Sequence, residues 1–262
     1  RIKDLVKEED VVITISHMGY IKRTSATEYR QQRRGGRGAL GGKTREEDWI
    51  EHIFVASTHH TMLFFTEKGR CHWLNVYEIP EGDKTSKGRA IQNLVQLMPD
   101  DRIRAIIDVK DLKDEEFVKN HNIVLCTKKG VIKKTELQDF SRPRQTGVNA
   151  ITIVDGDELL EARMTDGSCE VMLEVRSGRA IRFPEEKVRP TGRGAIGVTG
   201  IEVDDDHDEV IGMICVARDE MDKQVLVVSE NGLGKRTPFF TEENGQMEPT
   251  YRITNRGGKG VK

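Results

Sequence analysis

The sequence predicts an all-β fold of repeated, propeller-like units, and three observations carry that expectation. Five segments align: V-V-I-T-I-S-H-M-G-Y-I-K-R, M-L-F-F-T-E-K-G-R-C-H-W, I-V-L-C-T-K-K-G-V-I-K-K, V-M-L-E-V-R-S-G-R-A-I-R-F and V-L-V-V-S-E-N-G-L-G-K-R. Each is a β-branched or aromatic run, a short polar stretch, a glycine and a second run. That is a hairpin pattern, in which the glycine supplies the positive φ of a tight turn. The anchor glycines Gly19, Gly69, Gly130, Gly178 and Gly232 recur at intervals of 50, 61, 48 and 54 residues, a blade-like period. Convincing amphipathic helices are missing, which argues against a parallel sheet with helical crossovers.

The rest of each repeat follows in order. After the hairpin comes a loop, then glycine with small or apolar residues: G-G-R-G-A-L, K-G-R-A-I, T-G-V-N-A-I, G-R-G-A-I-G-V and G-G-K-G-V. An acidic turn comes next (E-E-D-W-I, D-D-R-I, D-G-D-E-L, D-H-D-E-V), then a further strand such as H-I-F-V-A or I-G-M-I-C-V-A. The sum is about four short antiparallel strands per repeat of roughly 50 residues. One repeat leaves a sheet face bare, and packed neighbours cover it. A solenoid also tolerates five repeats, but four strands per unit fits a blade better. The longest interval holds D-V-K-D-L-K-D-E-E-F-V-K-N, expected to be an inserted polar loop.

The 262 residues are 36% hydrophobic and 33% charged. The apolar runs are too short for a membrane span and no leader pattern is present, so a soluble, cytoplasmic protein without a membrane partner is expected. The start at Arg1 is expected of a piece of a longer protein. The four cysteines, Cys71, Cys126, Cys169 and Cys215, form no C-x-x-C motif and read as reduced, buried thiols.

A net charge of −2 hides strong patterning. Residues 20–45 hold eight Lys/Arg against one Glu, and residues 200–222 hold nine Asp/Glu against one Arg. Basic residues also return three and four positions after the anchor glycines, at Lys22, Arg23, Lys133, Lys134, Arg182, Lys235 and Arg236. The following loops add Lys84, Lys87 and Arg89; Arg142 and Arg144; Lys187, Arg189 and Arg193; and Arg252, Arg256 and Lys259. Lysines that merely protect sheet edges do not explain a fixed phase in the repeat. A positive track suits a polyanion, because each neutralised phosphate releases counterions. With few aromatics among these loops, stacking on single strands is disfavoured. Duplex DNA held by its backbone, with little base readout, fits better.

The most concentrated cations lie in Q-Q-R-R-G-G-R-G at 31–38. Glycine lets a backbone approach a phosphate and turn its N–H groups toward it, and arginine adds forked hydrogen bonds. Lys43 follows in the same surface stretch. The segment Gln32, Arg33, Arg34, Gly35, Gly36, Arg37, Gly38 resembles the box that marks the C-terminal domain of DNA gyrase A, with Arg37 where lysine is usual. V-V-I-T-I-S-H-M-G-Y-I-K-R, G-V-I-K-K-T, I-V-D-G-D-E-L and N-G-L-G-K-R-T-P extend the resemblance along the chain.

The resemblance implies a six-bladed β-pinwheel spanning 1–262 as a single domain, with strands exchanged between neighbouring blades and the box where first and last blades meet. It implies binding, sharp bending and wrapping of duplex DNA around a positive rim, in a positive superhelical sense, with the box required for wrapping. The implied partners are the breakage–reunion part of the same gyrase polypeptide and the ATPase-bearing gyrase B protein, in an A2B2 holoenzyme. That bacterial type IIA topoisomerase introduces negative supercoils using ATP and works on the chromosome. Five anchors rather than six, and a stop at R-G-G-K-G-V-K within a repeat, give the expectation of an open or truncated ring. No catalytic tyrosine region, ATP-binding loop, cofactor site or metal constellation is recognised, so this chain alone is expected to be non-catalytic.

Other signals are weaker. His59-His60 lacks further spaced ligands, D-D-D-H-D-E at 204–209 lacks the spacing of an EF-hand loop, and G-R-G-A-I-G at 192–197 lacks a flanking strand and helix. Two alternatives remain: the related C-terminal domain of topoisomerase IV, favoured by five repeats and opposed by the intact box, and a protein-interaction propeller. Steep loss of DNA binding with salt separates DNA binding from the latter.

Overall fold

The computed structural model describes residues 1–29, 48–204, 206–220, 222–228, 233–243 and 246–261. Short strands dominate the regular structure of the described chain. In order run a four-residue helix α1 (Ile2–Leu5), then β1 (Asp10–Ser16), β2 (Tyr20–Ser25), β3 (Ile50–Ser57), β4 (Thr61–Thr66), β5 (Arg70–Asn75), β6 (Arg89–Ala90) and β7 (Ile103–Val109). A helix α2 (Glu115–Asn120) precedes β8 (Asn122–Thr127), β9 (Val131–Glu136), β10 (Val148–Asn149), β11 (Leu159–Thr165), β12 (Glu170–Val175) and β13 (Ala180–Pro184). The chain continues through β14 (Val198–Thr199), β15 (Val210–Val216), β16 (Gln224–Val228), β17 (Gly234–Pro238), β18 (Phe240–Glu243) and β19 (Gln246–Pro249). The stretch expected to be a polar loop therefore contains α2. Leu112 and Val118 within it are buried, which gives the insertion an apolar side.

The chain divides into two compact units, Arg1–Asp114 with Arg142–Asn149, and Glu115–Ser141 with Ala150–Lys262. The first unit holds two four-stranded sheets, β3-β1-β2-β6 and β10-β5-β4-β7. The second holds β11-β8-β9-β14, the three-stranded β13-β12-β15 and the hairpins β16-β17 and β18-β19. All pairings between these strands are antiparallel. Each central hairpin turns on its anchor glycine: Gly19, Gly69, Gly130 and Gly178 have φ of 84°, 86°, 91° and 90°. Gly232 lies outside the described residues.

The outermost strand of each four-stranded sheet comes from farther along the chain. The two-residue strand β6, which follows the second hairpin, pairs with β2 of the first. In the same way β10 pairs with β5 and β14 with β9, and Val261 bridges to Ala180 beside β13. A glycine leads each of these short strands against the sheet. A Cβ on Gly88 would lie 2.3 Å from the Ile21 carbonyl oxygen, and one on Gly197 would lie 2.6 Å from that of Ile132. The close approach requires glycine, which explains Gly88, Gly147, Gly197 and Gly260 in these connecting segments.

Facing sheets bury the strand residues that alternate inward. In the first unit, Ile13 and Ile15 of β1 pack in one cluster with Met62 and Phe64 of β4. In the second, Val124 and Cys126 of β8 pack with Val171, Leu173 and Val175 of β12. Full burial of one such side chain stabilises by about 1.5–3 kcal/mol. The cysteines are free, with Cys71, Cys126 and Cys169 buried. Burial pushes the Cys126 and Cys215 thiols up and that of Cys169 to about 12, so they persist as protonated core groups.

Candidate nucleic-acid interface

The basic residues separate into two sets. The residues of 32–38 and Lys43 lie outside the described residues. Among the others, Lys22, Lys133, Lys134 and Arg182 are buried, with 3%, 1%, 5% and 1% of their surface exposed. Each is covered by a segment from elsewhere in the chain.

The Lys22 ammonium donates to the carbonyl oxygens of Asp83, Lys84 and Ser86, each at 2.9 Å. Those three acceptors match its three N–H donors. The Lys133 ammonium donates to the Ala150 carbonyl at 2.6 Å and the Arg193 carbonyl at 2.8 Å. Desolvation lowers the pKa of Lys22 and brings that of Lys133 down to about 8. At the next position along the strand, Arg23 Nε donates to the Ile79 carbonyl at 2.7 Å. Lys134 donates to the Glu185 carbonyl at 3.1 Å and pairs with its fully buried carboxylate at 3.6 Å. Arg182 pairs with Glu170, donates to the Phe239 carbonyl at 3.1 Å and lies over the rings of Phe239 and Phe240. A surface position for Lys22, Lys133, Lys134 and Arg182, expected from the repeat phase, is thus not what the fold gives them. They are fastened to backbone carbonyls, because a buried cation needs acceptors on every donor.

The acidic turns have an equally local cause, which the sequence reading missed. Asp48, Asp101, Asp157 and Asp208 each stand two residues before the third strand of their sheet. One carboxylate oxygen of each accepts the N–H of the residue before the anchor glycine: Met18, Lys68, Lys129 and Ser177. The same oxygen accepts the N–H that follows the aspartate, at Trp49, Arg102, Glu158 and Glu209. The visible signal was an aspartate at constant distance before every third strand. Within 204–209, Asp204 pairs with Arg179 at 3.6 Å and Lys259 at 3.2 Å. His59 bonds the Val6 carbonyl and His60 the Asp108 carboxylate, so the pair diverges within its turn. Asp166, Cys169 and Glu185 converge, but the Glu185 carboxylate already accepts from the Cys169 N–H and the Thr165 hydroxyl and is ion-paired with Lys134.

The second basic set is exposed or half-buried, and most of it lies on the segments that lead into the short outer strands. Arg89, Arg142, Arg144 and Arg189 are exposed and have no hydrogen-bond or ion-pair partner for their guanidinium groups among the described residues. Lys87 is exposed, its ammonium 3.7 Å from the Tyr20 ring centroid. Arg193 is half-buried, and Lys235 and Arg236 stand exposed on β17. Arg256 is half-buried and donates to the carbonyls of Lys187 and Thr199. A recurring spacing marks these segments: Lys84 and Lys87 precede Gly88 by four and one residues, and Arg256 and Lys259 precede Gly260 identically, as Arg34 and Arg37 precede Gly38 in the sequence. By contrast, a cleft of about 400 Å³ in the first unit mixes Glu51, Asp100 and Asp101 with His17 and Arg102, a lining that does not select a polyanion.

Comparison with known proteins agrees with this arrangement. The family model described as DNA gyrase C-terminal domain, beta-propeller, matches residues 10–57, 60–118, 121–166, 176–217, 223–239 and 250–262. The DNA gyrase A protein of Salmonella typhimurium is 44% identical over 264 residues, and that of Staphylococcus aureus strain MRSA252 is 44% identical over 260. Each alignment covers 99% of this chain, but the chain spans only 29% and 28% of those relatives. A solved DNA gyrase A C-terminal domain superposes with a TM-score of 0.74 at 27% identity, covering 97% of this chain and 76% of that one. The C-terminal domain of DNA topoisomerase IV gives 0.73 at 25% identity, covering 98% and 73%.

Proposed function

Because the chain belongs to the family of DNA gyrase C-terminal β-propeller domains, we propose that it binds, bends and wraps duplex DNA along its exposed outer cations. In this reading residues 1–262 are one non-catalytic DNA-binding domain of a gyrase A protein. It wraps in a positive superhelical sense and presents a segment of the same DNA for passage through the break held elsewhere in that protein. With the ATPase-bearing gyrase B protein, in an A2B2 assembly on the bacterial chromosome, that passage introduces negative supercoils. The observation that carries the proposal is the set of exposed guanidinium groups at Arg89, Arg142, Arg144 and Arg189, left without protein partners among the described residues.

Free guanidinium groups on glycine-led loops suit phosphate oxygens, which accept forked hydrogen bonds from them. Bending a 20–30 base-pair site strongly costs about 1–6 kcal/mol, so many contacts must offset it. The box residues Gln32, Arg33, Arg34, Gly35, Gly36, Arg37 and Gly38, with Lys43, belong to the proposed track by their sequence pattern. The intact box and the 44% identity to gyrase A proteins favour this reading over the topoisomerase IV alternative. Closed circular DNA, bound by the chain, relaxed by a nicking-closing topoisomerase and then deproteinised, tests it. A positive linking difference is expected, and its loss on replacing Arg33, Arg34 and Arg37 together by alanine. Binding without any linking difference would contradict the wrapping role.

A further inference from the structure

We propose that Lys22 and Lys133 are positioning residues for DNA binding: themselves buried, they fasten the backbone of two outer loops whose cations meet phosphates. This rests on the DNA-binding reading above. Three facts support it. Both residues stand three positions after an anchor glycine, on the strand next to the sheet edge. Both ammonium groups bond main-chain carbonyls rather than side chains, so they fix loop path and leave loop cations free. And most of the carbonyls they hold belong to cation-bearing loops: those of Asp83, Lys84 and Ser86 beside Lys87, and that of Arg193 itself, with Ala150 outside them.

A loop held by charge-assisted hydrogen bonds loses little freedom when phosphate binds, and so keeps more of its contact energy. The equivalent position at β5 is His72, whose Nδ1 has no hydrogen-bond partner among the described residues. The loop that follows there, bearing Arg142 and Arg144, is attached through Arg70 to the Thr146 carbonyl.

The test measures duplex binding by the full chain against salt concentration, with melting followed by circular dichroism. Arg193→Ala should lower the slope of log K against log salt by about one, since each phosphate contributes about 0.9. Lys133→Met, with every loop cation still present, should give the same loss, and Arg193→Ala added to it should cost nothing further. Lys22→Met paired with Lys87→Ala repeats the test on the other loop. A folded Lys133→Met chain with the full wild-type slope would overturn the proposal. So would independent losses in the double variant, or failure of both lysine variants to fold, which would make these lysines core residues only. If the wild-type chain itself shows no salt-dependent duplex binding, the DNA reading fails instead.

Discussion

Two sheet edges in the first unit solve one problem differently. At β2 the arriving strand is led by Gly88, and beneath its loop Lys22 gives all three ammonium donors to carbonyl oxygens. At β5 the arriving strand is led by Gly147, and beneath it lies His72, 3% exposed, its Nδ1 without a partner among the described residues. The imidazole packs so closely that a Cβ on Gly147 would lie 2.6 Å from its Cε1. The topology needs a glycine and a side chain that fills the edge. The hydrogen bonds to the loop are an addition that one edge has and the other lacks. The loop carrying Lys84 and Lys87 is thereby tied at several points, and the loop carrying Arg142 and Arg144 at fewer.

The largest effect is expected where a clamp is also an ion pair. Lys134→Met strands the Glu185 carboxylate, which is 0% exposed; urea unfolding should show a loss of about 3–5 kcal/mol. Lys22→Met removes charge-assisted bonds to carbonyls and should cost about 1.5–3 kcal/mol. In hydrogen exchange it should speed the amides of 83–87 and leave those of 142–146 unchanged; equal acceleration of both would erase the contrast between the edges.

Two smaller effects depend on pH. Desolvation, with the Arg70 charge, lowers the His72 pKa below its ordinary 6.5. The unfolded chain then binds the proton more readily, so this group costs stability as pH falls from 6.5 toward the folded value. His72→Phe should flatten the pH dependence of melting over that range. Lys133 shifts the same way, from 10.5 to about 8. The penalty for burying its charge is therefore present in full below pH 8 and relieved as pH rises toward 10.5. Comparison of Lys133→Met with the parent chain in alkaline urea titrations should show that rise lost.

Much of this architecture was legible in the sequence because it is local. Gly19, Gly69, Gly130 and Gly178 sit in two-strand patterns only a few residues long, and each takes the positive φ that the pattern requires. The third strands β3 and β15 were visible as apolar runs after an acidic turn. What the sequence could not reveal depends on distant chain. Lys22 is inside because residues 83–86 return over it, and Lys133 because residue 193 does. Charge at a fixed phase marks a repeated role, but a phosphate and a ring of carbonyl oxygens ask for the same ammonium group. The acidic turns carried the same ambiguity: a carboxylate that caps two N–H groups at Asp101 or Asp157 reads in sequence as plain surface charge. The helix α2 was hidden by its brevity and its polar composition.

The central claim is that inner cations build the sheets and outer cations meet DNA. Amine-reactive labelling of the folded chain, with and without duplex DNA and read by mass spectrometry, tests it most directly. Lys133, with a pKa brought down to about 8, would be among the fastest lysines to react if reagent reached it. The account predicts that Lys22, Lys133 and Lys134 stay unlabelled in both samples, while Lys87 and Lys235 label freely and are protected by DNA. Rapid labelling of Lys133, or DNA that protects neither Lys87 nor Lys235, would contradict it.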